Sequence, residues 1–341
     1  MKIRSKAPLR LGLSGGGTDV SPYSDNFGGA VLNVTINLFA TTFIEKLETY
    51  GTTYFCANDL EVSDYLDLTQ PISINGNLLL HRAVYKRVME EFNGGVYIPL
   101  KVTTQCDAPP GSGLGSSSAV VVSMLEGYKQ LMSLPLGEYD LAKLAYDIER
   151  VDCSLSGGKQ DQYASTFGGF NFIEFGKNNN VIVNPLRIRR HIANELESSI
   201  VMFFSGVSRD SATIINDQIN TVDDGGLALE AMHLVKASAY RMKELLLRGD
   251  IEGMADELKG SWKAKKATSA SISNSHIDEL ERKISQSGAL SMKISGAGGG
   301  GFIMIFVKPE AKVKIVKMLS KLEGQVVGFN FNMEGALSWT I

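Results

Sequence analysis

"PPGSGLGSSSA" at residues 109–119 decides how this chain is read, because the apolar, helix-like run "VVVSMLEGYKQLM" follows directly at 120–132. A glycine-rich turn that opens a helix can hold a phosphate, yet this one lacks the lysine of GxxxxGK[ST] and does not fit GxGxxG. Pro109 and Pro110 stiffen the entry, and Gly111, Gly113 and Gly115 let backbone amides turn inward around Ser112 and Leu114. Ser116, Ser117 and Ser118 stand where a helix N-terminus leaves donors unpaired and a partial positive charge exposed. Such a turn binds anions without a lysine, and its hydroxyls can supply further hydrogen bonds or one oxygen ligand for Mg2+. The plainer alternative is an N-capping serine and nothing more.

Two further segments carry more glycine than packing requires: "GLSGGGTD" at 12–19 and "GAGGGG" at 296–301. Either could be a tight turn, but three such clusters in one chain favour loops built around a ligand. "GAGGGG" matches GxGxxG at Gly296, Gly298 and Gly301, but a strand-like run, "FIMIFV", follows where a dinucleotide fold needs a helix. A Rossmann-type oxidoreductase is therefore disfavoured. "SGGKQDQYAST" at 156–166 sets Lys159 and Asp161 in a glycine-led turn, 12 positions after Glu149. Two carboxylates and a lysine near a phosphate loop suggest metal binding and base catalysis.

The remainder of the chain fits a soluble enzyme. Its 341 residues are long enough for two domains, and 44% hydrophobic with 21% charged content is ordinary for a globular protein. A formal net charge of -3 gives no general attraction to nucleic acid or to an anionic membrane. No signal-like or membrane-spanning apolar run occurs, so a cytoplasmic protein is expected. Cys56, Cys106 and Cys153 form no CxxC pair and read as reduced thiols, and four scattered histidines argue against a zinc cluster.

Strand-like segments dominate the first half, at 3–13, 30–47, 52–57 and 97–104, with helical spacing at 78–92, 117–132 and 138–151. Strands around the turn "GKNNN" at 176–180 follow, and then amphipathic helices at 208–222, 226–249, 250–267 and 275–288. The order strand, strand, helix, strand closes the chain, at 289–295, 301–307, 310–322 and 324–332. An α+β protein is predicted, with domains at 1–195 and 196–341, the boundary placed by the shift from strands to helices.

In this order, "APLRLGLSGGGTDV", "PPGSGLGSSSA" and "KISGAGGGGF" resemble the three signature motifs of the GHMP kinases. The resemblance spans nearly the whole chain and looks closest to the branch of heptose 7-phosphate kinases and fucokinase domains. It implies a two-domain α+β fold with the active site between the halves, and ATP and Mg2+ as cofactors. The loop from Pro110 to Ser118 should wrap the ATP phosphates, with Ser117 and Glu149 as metal ligands. Asp161 falls at the catalytic position, beside Arg10, which favours its ionised form, and Lys159. Substrate contacts should come from Arg10, Ser14, Gly16, Gly17, Thr18, Asp19, Asp161, Gly298 and Gly299. The chain departs from the galactokinase pattern at Gly17, where those enzymes carry a histidine, so hexose specificity does not transfer.

The activity so implied is transfer of a phosphoryl group from ATP to the anomeric hydroxyl of a heptose 7-phosphate, in nucleotide-activated heptose biosynthesis for capsule or lipopolysaccharide. A sugar phosphate needs a second anion site, for which Lys159, Arg209, Lys263, Lys265 and Lys266 are candidates. The rival readings are a fucokinase-like or other small-molecule kinase of the same fold, and a non-catalytic sensor of sugar and ATP. The expected partner is a small sugar phosphate, with no nucleic acid and no membrane, for a monomer or homodimer.

Overall fold

The fold is that of a computed structural model, which describes residues 1–48, 51–177, 180–206 and 211–341. Its first layer grows around two long strands, β1 (Lys2–Ser14) and β2 (Gly29–Lys46), paired antiparallel. The short helix α1 (Tyr23–Phe27) lies between them. β3 (Thr52–Ala57) and β4 (Val62–Asp67) form a hairpin, and α2 (Leu79–Phe92) carries the chain to β5 (Leu100–Cys106), which lies parallel to β3. β5 pairs with residues 40–46 of β2, while β6 (Phe170–Phe175), itself paired with β7 (Val181–Pro185), occupies residues 29–34. α3 (Ser116–Met132) packs on β1 and β2, with α4 (Glu138–Asp147) and α5 (Gln160–Phe167) beside it.

The register of β1 against β2 shifts twice, between Pro8 and Arg10 and between Gly12 and Ser14. Such bulges re-aim a side chain and are frequent beside active sites; here they bracket Arg10. The helix expected over 138–151 ends instead at Asp147 and continues as one π-helical turn, Ile148–Asp152. Single π turns are uncommon and often functional, and this one carries Glu149.

The second half opens with α6 (Arg190–Ser198) and β8 (Ile200–Phe204), neither of which was legible in the sequence. α7 (Ser211–Asp223), α8 (Gly226–Arg248), α9 (Ile251–Ala267) and α10 (Ser275–Gln286) follow the expected amphipathic runs. β9 (Ser291–Ile294) and β10 (Phe302–Phe306) flank "GAGGGG" as expected, and α11 (Lys312–Leu319) precedes β11 (Gln325–Val327). The second sheet has the order β11-β8-β10-β9. Its central strands are apolar on both faces because each face meets a different core. Ile200 and Met202 of β8 join Met304 of β10 in the core shared with the first sheet, whereas Val201, Phe203, Ile303 and Ile305 pack with Ile277, Leu280, Ile284 and Ile315. Side chains that alternate along a strand produce this division.

Only Gln325–Val327 of the expected strand 324–332 forms, and a further strand, β12 (Leu337–Thr340), returns to pair with Ile3–Lys6 of β1. Residue 195 lies inside α6, and β12 belongs to the first sheet. We therefore propose a division by sheet, with the residues after 328 returning to the first unit.

The returning tail clamps the end of α5. Ala336 donates its N–H to the carbonyl of Thr166, and a β-carbon on Gly168, whose φ is +66°, would stand 2.2 Å from the carbonyl carbon of Glu334. Gly168→Ala is expected to destabilise the protein by about 1–3 kcal/mol, for strain at a left-handed position, read as a lower urea midpoint with an unchanged slope.

Candidate active site

The glycines of the phosphate loop alternate with inward-facing residues. Gly111, Gly113 and Gly115 have φ of +70°, +82° and +75°, and all three line a cleft of about 580 Å3 between the two sheets. Leu114 is fully buried in the core. Ser112 is buried too, its carbonyl accepting from Phe302 N–H of β10. Backbone left-handed at every second residue is open only to glycine without strain, which explains the GxGxG rhythm where no lysine occurs. α3 begins at Ser116 with no side-chain cap, and its first helical bond joins Ala119 N–H to Gly115 C=O. The amides of Ser116, Ser117 and Ser118 therefore have no intrahelical acceptor, and all three residues line the cleft together with Pro110. This 17-residue helix aims its positive end into the cleft.

The third glycine segment lies against the loop, as expected. Ser295 Oγ donates to Gly113 C=O at 2.8 Å, and a β-carbon on Gly296 would meet Gly113 Cα at 2.7 Å. Gly296 and Ala297 reach the cleft. Gly298 and Gly299 do not: Gly299 N–H donates to Ile272 C=O, and a β-carbon on Gly298 would strike the same carbonyl.

Arg10 links the loop to the acidic group expected at the reaction centre. Its Nε donates to Asp161 Oδ1 at 2.7 Å and its Nη1 to Gly113 C=O at 2.6 Å, while its amide donates to Leu114 C=O. Gln160 Nε2 adds a second bond to Oδ1, at 3.3 Å, and Asp161 Oδ2 takes no bond from any described residue. A β-carbon on Gly115 would stand 3.1 Å from the carboxyl carbon, so Asp161 lies in contact with the turn from loop to helix.

Glu149 and Ser117 also come together. Ser117 Oγ donates to Glu149 Oε1 at 3.3 Å, and Gln162 Nε2 bonds Oε2. The carboxylate is buried, and the nearest cation, Arg150, is 4.0 Å away and spends its Nη groups on the carbonyls of Leu155, Ser156 and Gly158. Among the described residues no cluster of three or more metal-ligating side chains occurs. One carboxylate and one hydroxyl beside a phosphate loop suit Mg2+, which draws its remaining ligands from phosphate oxygens and water.

Several expected substrate residues serve the loop itself. Ser14 bonds Ser238, and Thr18 Oγ1 donates to Gly15 C=O and Ala30 C=O. Asp19 accepts from Gly17 N–H at 3.1 Å and from Gln160 N–H, at the start of α5, at 3.0 Å. It lines the cleft with Gly16 and Gly17 but chiefly fixes the turn that presents Asp161. Lys159 departs from expectation. Its ammonium sits 3.4 Å from Asp25 and 5.8 Å over the Tyr146 ring, bonds no atom of Asp161, and lies outside the cleft lining. Charge attraction to Asp25, together with the ring face, holds it there.

Of the candidate lysines, Lys263 is exposed and Lys266 pairs with Glu281 and Asp278. Arg209 lies outside the described residues. Lys265 does reach the cleft, bonded to Gly16 C=O and Gln218 Oε1 at 3.0 Å each. Beside it stands Lys293, which the sequence reading missed, bonded to Gly12 C=O at 2.9 Å. Burial pulls Lys265 down to about 8 against the attraction of Asp19, and burial with repulsion from Lys265 and Arg10 pulls Lys293 down to about 7. The signal for Lys293 was its place two residues before "SGAGGGG", on the strand that leads into the third glycine segment.

A bay of free amides with the Asp161 carboxylate beside it, held by an arginine, fits an enzyme that moves a phosphoryl group onto an alcohol. The chain belongs to the GHMP kinase family, whose N-terminal domain pattern matches residues 77–169 and C-terminal pattern residues 242–322. It is 42% identical, over 99% of both chains, to the D-glycero-alpha-D-manno-heptose 7-phosphate kinase of Campylobacter jejuni. A crystal structure described as a D-glycero-D-manno-heptose 1-phosphate kinase from Bacteroides thetaiotaomicron superposes with a TM-score of 0.83, at 42% identity over 99% of both chains. Lactococcus lactis galactokinase shares the fold at a TM-score of 0.76, with 16% identity over 100% of this chain and 95% of that one. The protein is thus an ATP-dependent phosphotransferase with an alcohol acceptor.

Gly115→Ala should displace Asp161 and strain the loop together. A loss of about 100-fold in kcat/KM is expected, the scale of a misplacement of about 1 Å, measured by coupled ADP release.

Proposed function

We propose that the protein phosphorylates the anomeric hydroxyl of D-glycero-D-manno-heptose 7-phosphate, giving the 1,7-bisphosphate and ADP. The observation that carries this reading is the Arg10–Asp161 pair seated against the phosphate loop, where an acceptor hydroxyl can meet a terminal phosphate. The relative of C. jejuni, alike along its whole length, supports the choice of acceptor.

In this mechanism the amides of residues 116–118 and the loop amides bind the triphosphate. Arg10 holds Asp161 by one oxygen, which leaves Oδ2 to accept or orient the proton of the acceptor hydroxyl. A hemiacetal hydroxyl is more acidic than a primary one, which eases that transfer. Ser117 and Glu149 would hold Mg2+, whose charge offsets that on the phosphates. Positioning and electrostatics supply most of the rate in phosphoryl transfer, and Arg10, anchored to Gly113, fixes the distance between carboxylate and loop. Gly16, Gly17 and Asp19 form the acceptor side of the cleft. We place the reaction in the cytoplasm, where ATP is available and Cys56, Cys106 and Cys153 stay free thiols; among the described residues no helix is long and apolar enough to cross a membrane.

Asp161→Asn should lower turnover by about 100- to 10,000-fold, the range of general-base effects, while ATP affinity, measured by calorimetry, changes less than about threefold. Retained turnover would remove Asp161 from this role. Phosphorus NMR of reactions started from heptose 7-phosphate and from heptose 1-phosphate identifies the acceptor, since both routes end in the same bisphosphate. Turnover of fucose alone would favour the fucokinase-like reading, and no ADP with any sugar would favour a sensor.

A further inference from the structure

Two ammonium groups in the cleft lack an anionic partner. Lys265, on α9, is 8% exposed and its Nζ bonds only Gly16 C=O and Gln218 Oε1 among the described residues. Lys293, on β9, is partly buried and bonds Gly12 C=O. Neither forms an ion pair with a described carboxylate, although Asp19 is near enough to favour the charge on Lys265. An unpaired charge withdrawn from water is costly, and two of the same sign in one cleft more so. Both lysines line the cleft, so a soluble anion can reach them.

Their order along β1 gives the direction of that anion. Arg10 contacts Gly113 of the phosphate loop, Lys293 is bonded at Gly12, and Lys265 is bonded at Gly16 in the turn beyond. At a strand rise of ~3.3 Å per residue, Gly12 is ~7 Å beyond Arg10. The ATP phosphates belong to the loop and the α3 N-terminus on the near side, and Arg10 is committed to Asp161. Lys293 Nζ stands next along the cleft from Arg10, since a β-carbon on Gly12 would lie 3.9 Å from Lys293 Nζ and 4.0 Å from Arg10 Nη1, and Lys265 stands further along, at the Gly16 turn. Between the two stations, Gln160 Oε1 is buried without a partner, and a β-carbon on Gly12 would lie 3.8 Å from it and 3.9 Å from Lys293 Nζ. An acceptor hydroxyl can donate to that oxygen.

We propose that Lys265 and Lys293 form the site for the acceptor's own phosphate, so that the enzyme selects sugars already phosphorylated at the end remote from the reacting hydroxyl. This rests on the kinase reading above and adds to it the group that recognises the substrate. A phosphate monoester dianion seated between the two ammonium groups relieves their mutual repulsion and makes charge-assisted hydrogen bonds to both. Lys265 also ties the phosphate to the Gly16 turn, which links recognition to the order of the acceptor loop.

The sign of the pH dependence follows. The charged groups that act on the pair are Arg10, Asp19 and each lysine on the other, with the neutral Gln218 beside them. With Lys293 lowered to about 7 and Lys265 to about 8, both charges are present on the acid side and are lost as pH rises through these values. Preference for a phosphorylated over an unphosphorylated acceptor should therefore decline above about pH 8.

The test is calorimetric titration of heptose 7-phosphate and of unphosphorylated heptose, with a non-hydrolysable ATP analogue present, for the native protein, Lys265→Met and Lys293→Met. Each variant should lower the preference for the phosphorylated sugar by about 10- to 100-fold, the loss of one charged hydrogen bond. An equal weakening for both sugars would show that the lysines merely brace the loop, and an unchanged preference would equally overturn the proposal. If a methionine variant fails to fold, Lys265→Gln and Lys293→Gln are titrated in its place, and an unchanged preference in either folded variant rejects the site. Binding is read without turnover, so phosphate-dependent binding without product would spare the site and reject the reaction, while product formed at full preference in both variants would do the opposite.

Discussion

The site depends on two backbones that approach more closely than side chains permit. At Gly113 and Gly296 the first and second halves of the chain touch main chain to main chain, and a β-carbon on Gly113 would lie 2.1 Å from Ser295 C=O. With hydrogen atoms in place of side chains, Ser295 Oγ and Arg10 Nη1 share the Gly113 carbonyl. That shared acceptor fixes Arg10, Arg10 fixes Asp161, and Asp161 lies against Gly115. The distance between the glycine loop and the Asp161 carboxylate is thus set by backbone packing, where few rotamers exist to relax it.

Charge in the cleft is arranged around this contact. The phosphate loop contributes positive potential through amides and a helix end, which cannot titrate. Lys265 and Lys293, elsewhere in the cleft lining, contribute it through ammonium groups, which can. Glu149, Asp161 and Asp19 are each bound on at least one oxygen by a donor that orients them. Lys159 shows the opposite case: two residues from Asp161 in sequence, it is drawn out of the cleft by Asp25.

The three glycine segments made the family and the two-domain α+β fold legible, because each marks a place where backbone geometry excludes side chains. The approach of Glu149 to Ser117 was also expected, but the π-helical turn that delivers it has no sequence signature of its own. Lys293 has no signature of its own, because one lysine in a short strand resembles any edge-strand charge and its place is set by Gly12, 281 residues away. Residues 337–340 were missed for a related reason: "LSWT" alternates too briefly to mark a strand, and only pairing with β1 makes it one. Small polar residues make α5 look like a turn in the sequence, whereas capping by Asp19 from a distant loop makes its first turn helical.

The pairing of Ile3–Lys6 with Leu337–Thr340 carries a consequence for how the protein is made. The helix bearing Asp161 is held at its far end by Gly335 and Ala336, so it takes its final place only after residues synthesised well over a hundred positions later have left the ribosome. Contacts between distant segments form slowly, and until then β1 waits with an open edge of the kind that invites misassociation. The centre around Asp161 is therefore complete only when both Gly296 and the returning tail are in place, so the last residues of the chain to be made are among those that the site requires.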